Sequence, residues 1–121
     1  MERVFFGVGA VSAALAVALG AFAAHGLRAR LSAEALATFE TGARYHLYHA
    51  LALLATVPIM GRLEGSRLVT AAGWLFVAGI VLFSGSLYLL ALTGITMLGA
   101  VAPLGGVAFL CAWACLAVAA L

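Results

Sequence analysis

Charge is scarce in this chain. Charged residues make up 8% of its 121 residues, against about 25% in an ordinary globular domain. All six basic residues are arginine, and no run of them forms a basic tract, which argues against a nucleic-acid surface. Cysteine is nearly absent too. The two present, Cys111 and Cys115, stand four apart in an apolar segment. That spacing suits two small buried apolar residues on one helix face better than a disulfide. Also missing are a nucleophile elbow, a phosphate loop, a zinc-protease helix and a cysteine-pair metal site. The residues therefore point away from an enzyme.

What fills the chain is apolar surface. Hydrophobic residues account for 67% and mean hydropathy is +1.25, whereas soluble domains are about 45–50% apolar. A single small domain cannot hide that much surface from water, but a bilayer can solvate it. The expectation is an all-α integral membrane protein. Backbone groups in hydrocarbon must be satisfied internally, and a helix does this within one segment.

Four apolar stretches, about 4–24, 36–60, 68–92 and 97–120, are long enough to span, since roughly 20 residues cross about 30 Å of hydrocarbon. With short connections they predict an up-down four-helix bundle in one domain. The first stretch follows Met1, Glu2 and Arg3 and ends in small residues, as a secretory signal does. Its length exceeds the roughly 7–15 apolar residues of such signals, so it reads as a retained helix.

Ser32 suits an N-cap, with Glu34 in the first turn, so the second helix should start near Ala33. Pro58 predicts a kink or an end there. Small residues carry the packing signal in helices that are apolar all round. On the first helix they suggest a stripe of Ala10, Ala13, Ala14, Val17, Ala21 and Ala24; on the third, Gly73, Val77 and Ile80 near Gly79. Arginine counts are tied between the two sides of the bundle, so they do not orient it. Cytoplasmic termini are taken as the expectation.

One polar interruption stands out, at residues 38–49, just before the apolar run 50–60. It holds Glu40, Arg44, His46 and His49, and ionisable groups in or beside a bilayer demand an explanation. The alternating topology would bring His25 to the same side, with Ser84, Ser86 and Tyr88 from the third helix. Each has a structural reading. Glu40 and Arg44 can pair at i, i+4, with Arg44 reaching the headgroups. Tyr45 and Tyr48 suit an interfacial belt, as do Trp74 and Trp113, which could equally pack. Ser84 and Ser86 can bond backbone carbonyls. His46 and His49, at i, i+3, share a face. For His49 a hydrogen bond to a neighbouring helix competes with metal ligation.

Residues 20–27 (Gly-Ala-Phe-Ala-Ala-His-Gly-Leu) and 39–53 (Phe-Glu-Thr-Gly-Ala-Arg-Tyr-His-Leu-Tyr-His-Ala-Leu-Ala-Leu) resemble the family called domain of unknown function 423. So do residues 83–89 and 96–106, which includes Pro103-Leu104-Gly105-Gly106. The resemblance covers nearly the whole chain in order. It implies a small four-span protein of the bacterial inner membrane, related to mitochondrial transmembrane protein 256, with no agreed activity; separately, no cofactor is expected. The resemblance also implies glutamine where this chain has His46, which leaves His25 and His49 as the better candidate pair of metal ligands.

Three functions compete on these residues. One is a non-enzymatic accessory or assembly protein in the bilayer, with other membrane proteins or further copies as partners. The second is a protein that binds or passes a proton, metal ion or small solute through His25, Glu40, Arg44, His49, Ser84, Ser86 and Tyr88. The third is a haem or metal redox protein using His25 and His49.

Overall fold

The computed structural model describes residues 1–121 and is all helical, without a strand. α1 (Glu2–Phe22) continues through a π-helical turn, Ala23–Leu27; α2 spans Ala33–Arg62. α3 (Arg67–Gly79), a second π turn (Ile80–Ser84) and α4 (Gly85–Thr93) form one continuous third rod, and α5 covers Leu98–Ala119. Four rods result. Three of them, Glu2–Leu27, Arg67–Thr93 and Leu98–Ala119, are long and apolar enough to cross a membrane. α2 is longest, at 30 residues, and carries the polar stretch.

The ends follow from local chemistry. Ser32 is extended and its hydroxyl accepts from the Ala35 N–H at 3.1 Å, so α2 begins at Ala33 with one free donor satisfied. Pro58 does not stop α2, which continues to Arg62. Proline there removes one hydrogen bond close to the helix end, where little ladder remains to be broken. The third rod stops at Gly94, whose φ of +73° lets its N–H reach the Leu90 carbonyl at 2.8 Å. Glycine takes this left-handed cap without steric penalty.

α2 is the hub. It packs along α1 on one side and against the third rod on the other, while α5 lies mainly on the third rod. Phe5, Leu53, Phe76 and Phe109, one from each rod, share a core cluster. A second cluster at the opposite end joins Ala23 and Leu27 to Phe39 and Ala91. Glycines set the closest approaches. A Cβ on Gly105 would lie 2.3 Å from the Phe83 backbone nitrogen, so α5 rests directly on the second π turn. Gly73 and Gly79 similarly receive the rings of Phe5 and Phe109.

The packing stripe of α1 differs from the expected one. Phe5, Gly9, Ser12 and Ala16 are buried, whereas Ala10, Ala14, Val17, Ala21 and Ala24 face outward. The reason is partly polar. Ser12 needs a partner in an apolar setting, and Gly9 admits the Leu54 side chain and the Ala50 carbonyl at distances that a larger residue would block.

Candidate functional site

The two buried histidines of α2 serve different neighbours. His46 places Nδ1 2.8 Å from the Tyr88 hydroxyl of α4 and Nε2 2.8 Å from the Ser12 hydroxyl of α1. One imidazole thus ties three rods together. His49, less than a turn further on, faces α5. Its Nδ1 lies 2.8 Å from the Tyr45 carbonyl and its Nε2 3.2 Å from the Trp113 indole nitrogen. A carbonyl only accepts and an indole N–H only donates, so Nδ1 carries the hydrogen and Nε2 accepts. The hydrogen bonds therefore define His49 as the neutral Nδ1–H tautomer.

Aromatic rings enclose His49. Phe109 stacks on it with centroids 3.6 Å apart and planes 8° from parallel. Phe76 and Trp113 approach at 5.8 and 5.9 Å, and Tyr45 at 6.1 Å. Phe83 bridges Tyr45 and Phe109 at 5.0 and 5.7 Å. These contacts explain how a polar ring is held in a largely apolar bundle: its two nitrogens are bonded and its faces are covered by π systems.

The serines of the third rod are engaged as well. Ser84, fully buried, donates to the Gly42 carbonyl at 2.7 Å, crossing from the π turn to α2. A Cβ on Gly42 would stand 3.2 Å from Leu87 Cβ and Tyr88 Cε1, so glycine permits this approach. Ser86 donates within its own rod to the Leu82 carbonyl. No buried side-chain nitrogen or oxygen lacks a partner.

The remaining candidates lie apart from this core. His25 is exposed, in the π turn that ends α1, while His49 is occupied by Tyr45 and Trp113. Arg44 is exposed and donates to Thr41 Oγ1 at 3.2 Å, rather than to Glu40. Glu40 is half-buried and, with Arg44, edges a shallow groove between α1 and α2 beside Ala16 and Gly20. No three side chains of histidine, cysteine, aspartate or glutamate converge as a metal site would require. Cys111 is exposed and Cys115 half-buried, both as free thiols.

Two larger grooves open on the sides of the bundle. One, of about 560 Å³, runs between α1 and the third rod, with Ser12, His46 and Tyr88 in its wall. The other, of about 630 Å³, lies between α2 and α5 and is lined by Tyr45, His49, Phe109 and Trp113. Sequence reasoning missed Ser12 altogether and treated Trp113 as a belt or packing residue. The available signal was that Ser12 is the one hydroxyl within α1, seven residues from Phe5, and so two helical turns away on the same face.

Comparison with known proteins places these features in a family. A family model described as "Protein of unknown function (DUF423)" matches residues 19–106. The UPF0382 membrane protein YwdK of Bacillus subtilis (strain 168) is 52% identical over 118 residues, covering 98% of this chain and 96% of the relative. The UPF0382 membrane protein SSP2132 of Staphylococcus saprophyticus is 50% identical, covering 92% of this chain and 91% of the relative. SERP0230 of Staphylococcus epidermidis, likewise named a UPF0382 membrane protein, is 45% identical over 121 residues, with 98% and 96% covered. No solved structure matches the chain. With the family model covering most of its length and relatives named as membrane proteins at 45–52% identity over nearly all of it, the chain belongs to the DUF423 family of membrane proteins.

Proposed function

We propose that this chain is a non-enzymatic, multi-pass protein of the bacterial inner membrane, acting within the bilayer as an accessory or assembly protein. All four rods cross the membrane in this reading, and its partners are other membrane proteins or further copies of itself. The observation that carries it is the use made of the buried polar groups. Ser12, His46, His49, Ser84 and Tyr88 bond to one another, to backbone carbonyls or to Trp113. Such groups hold rods in register, as interhelical hydrogen bonds do in bilayers. A permeation path would instead call for polar groups aligned along the bundle axis, and a redox centre for histidine nitrogens free to bind a metal.

The outward face supports the same reading. Val11, Val17, Val81 and Leu110 are each more than 60% exposed, a surface suited to lipid or to the apolar flank of another helix. The test is chemical cross-linking in native membranes followed by purification in mild detergent. Enrichment of a reproducible membrane-protein partner, or of a dimer, is expected. A chain that remains a lone monomer in every preparation would overturn the proposal.

A further inference from the structure

Ser12, His46 and Tyr88 form a chain with more donor hydrogens than internal contacts. A neutral imidazole carries one N–H, and each hydroxyl carries one O–H, giving three donor hydrogens for two contacts. If Nδ1 is protonated it donates to Tyr88, Ser12 donates to Nε2, and the Tyr88 hydrogen is left over. If Nε2 is protonated the roles reverse and the Ser12 hydrogen is left over. Either way one O–H has no partner within the chain. Thr38, Thr41 and Ser86 donate back to the carbonyl four residues earlier; Ser12 and Tyr88 instead direct their oxygens at His46. Ser12 is buried, at 8% exposed, and Tyr88 is half-buried; in a bundle set in hydrocarbon neither meets bulk water.

Both possible owners of the leftover hydrogen, Ser12 and Tyr88, line the groove between α1 and the third rod, whose wall is otherwise apolar: Val8, Val11, Leu15, Val77, Ile80 and Val81. Depth narrows the occupant. Ser12 stands ten residues past Glu2 and fifteen before Leu27, or about 15 and 22 Å along the helix. In hydrocarbon about 30 Å thick, that is close to the midplane. The ester carbonyls of a phospholipid sit beside its headgroup, so they cannot reach this level without dragging a charge into the core. A carbonyl at this depth belongs to a molecule with no charged headgroup.

We infer that this groove is a lateral binding site for a neutral, membrane-soluble carbonyl compound of the isoprenoid quinone class, its carbonyl oxygen accepting the surplus hydrogen of the Ser12–His46–Tyr88 chain. The site binds; it is assigned no electron or proton transfer. The inference goes beyond the accessory role proposed above and does not depend on it.

Two glycines in the groove wall provide a clean test. A Cβ on Gly7 or Gly85 would meet nothing within 4 Å, so a larger side chain there enters the groove without displacing protein. Full-length protein in non-ionic detergent is titrated calorimetrically with decylbenzoquinone, and separately with decylbenzene, which has the ring and tail but no carbonyls. The quinone is expected to bind at least about tenfold more tightly, the effect of one added hydrogen bond to a buried donor. Gly85→Leu should abolish binding of both probes. The triple variant S12A/H46L/Y88F removes every hydrogen in the chain yet keeps the groove apolar; it should bind both probes equally. Equal affinity of the two probes for the unmodified protein overturns the inference. So does undiminished quinone binding in Gly85→Leu, a retained quinone preference in the triple variant, or displacement of the quinone by an equimolar phosphatidylcholine.

Discussion

Trp113 and His49 are joined across 64 positions of sequence by an indole N–H donating to Nε2 at 3.2 Å. This bond secures α5 to α2, two rods whose backbones otherwise meet mainly through the third rod. It also fixes the imidazole tautomer, because the opposite nitrogen faces the Tyr45 carbonyl.

Removing either partner should therefore cost more than removing a charge at the surface. Trp113→Phe leaves the ring contacts but strips the donor from Nε2, and His49→Leu leaves the Trp113 N–H unmatched. Trp113→Phe should lower stability by roughly 1–3 kcal/mol, the penalty for orphaning a polar atom of buried His49, and His49→Leu should do so through the lost stack on Phe109 and the unmatched N–H of Trp113, a ring 46% exposed on the flank of the bundle. Arg44→Leu should stay within about 0.5 kcal/mol, as surface changes do, since Arg44 is exposed and bonds only to its helical neighbour Thr41. Thermal unfolding in one detergent, followed by circular dichroism, compares the three. Equal losses would show that the His49 bond adds nothing.

His46 offers a sharper contrast. Its two nitrogens reach hydroxyls on two different rods, so a substitute must both donate and accept. Glutamine has an amide oxygen and an amide nitrogen on one planar group and meets that requirement; leucine meets neither half. His46→Gln should retain most of the stability and His46→Leu should lose about 1–3 kcal/mol. The same melting experiment decides it, and the two variants melting together would refute the bridging role.

The helices and their order could be read from the chain because apolar length marks three of the rods, while capping chemistry and the apolar run 50–60 mark α2. Ser32 announced the start of α2 through its capping chemistry, and the bond it makes to Ala35 is the one its type predicts. Facing could not be read in the same way. α1 is apolar on all sides, so hydropathy gave no preference, and the alanine stripe pointed outward while Phe5, Gly9, Ser12 and Ala16 turned in. The i, i+3 spacing of His46 and His49 misleads for a related reason. Spacing puts them on one face, but α2 is contacted from two sides, and each ring turns to a different rod. Bonds such as Ser84 to the Gly42 carbonyl depend on the π turn at Ile80–Ser84, and nothing in local composition marks where a helix will widen.

That widened turn makes another pair of substitutions informative. Gly105 lies against it, with a virtual Cβ 2.3 Å from Phe83 N and 2.6 Å from Phe83 Cβ. Because the obstruction is backbone, Gly105→Ala must push α5 off the third rod, at about 1–3 kcal/mol for an overpacked contact. Gly106→Ala, one position later, meets open space and should be neutral or stabilising by up to about 1 kcal/mol, since alanine favours a helix interior. Opposite signs in detergent melts are expected. A tolerated Gly105→Ala would mean that α5 does not sit on the π turn.

The direction of the rods ties the number of crossings to the side on which each terminus lies. The ring of Phe5, near the start of α1, meets Trp74, near the start of the third rod, at 5.3 Å. At the other end, Ala23 and Leu27 pack with Ala91, late in the third rod. Those two rods are therefore parallel. If both cross the membrane, α2 must carry the chain back between them, although it is the most polar of the four. Four crossings place both termini on one side; three would separate them. Cysteine residues introduced beside Met1 and Leu121, in a background where Cys111 and Cys115 are replaced by alanine, should both react with a membrane-impermeant maleimide from the same aqueous side. Labelling of the two ends from opposite sides would mean that α2 lies outside the bilayer and that the bundle does not insert as four parallel and antiparallel rods.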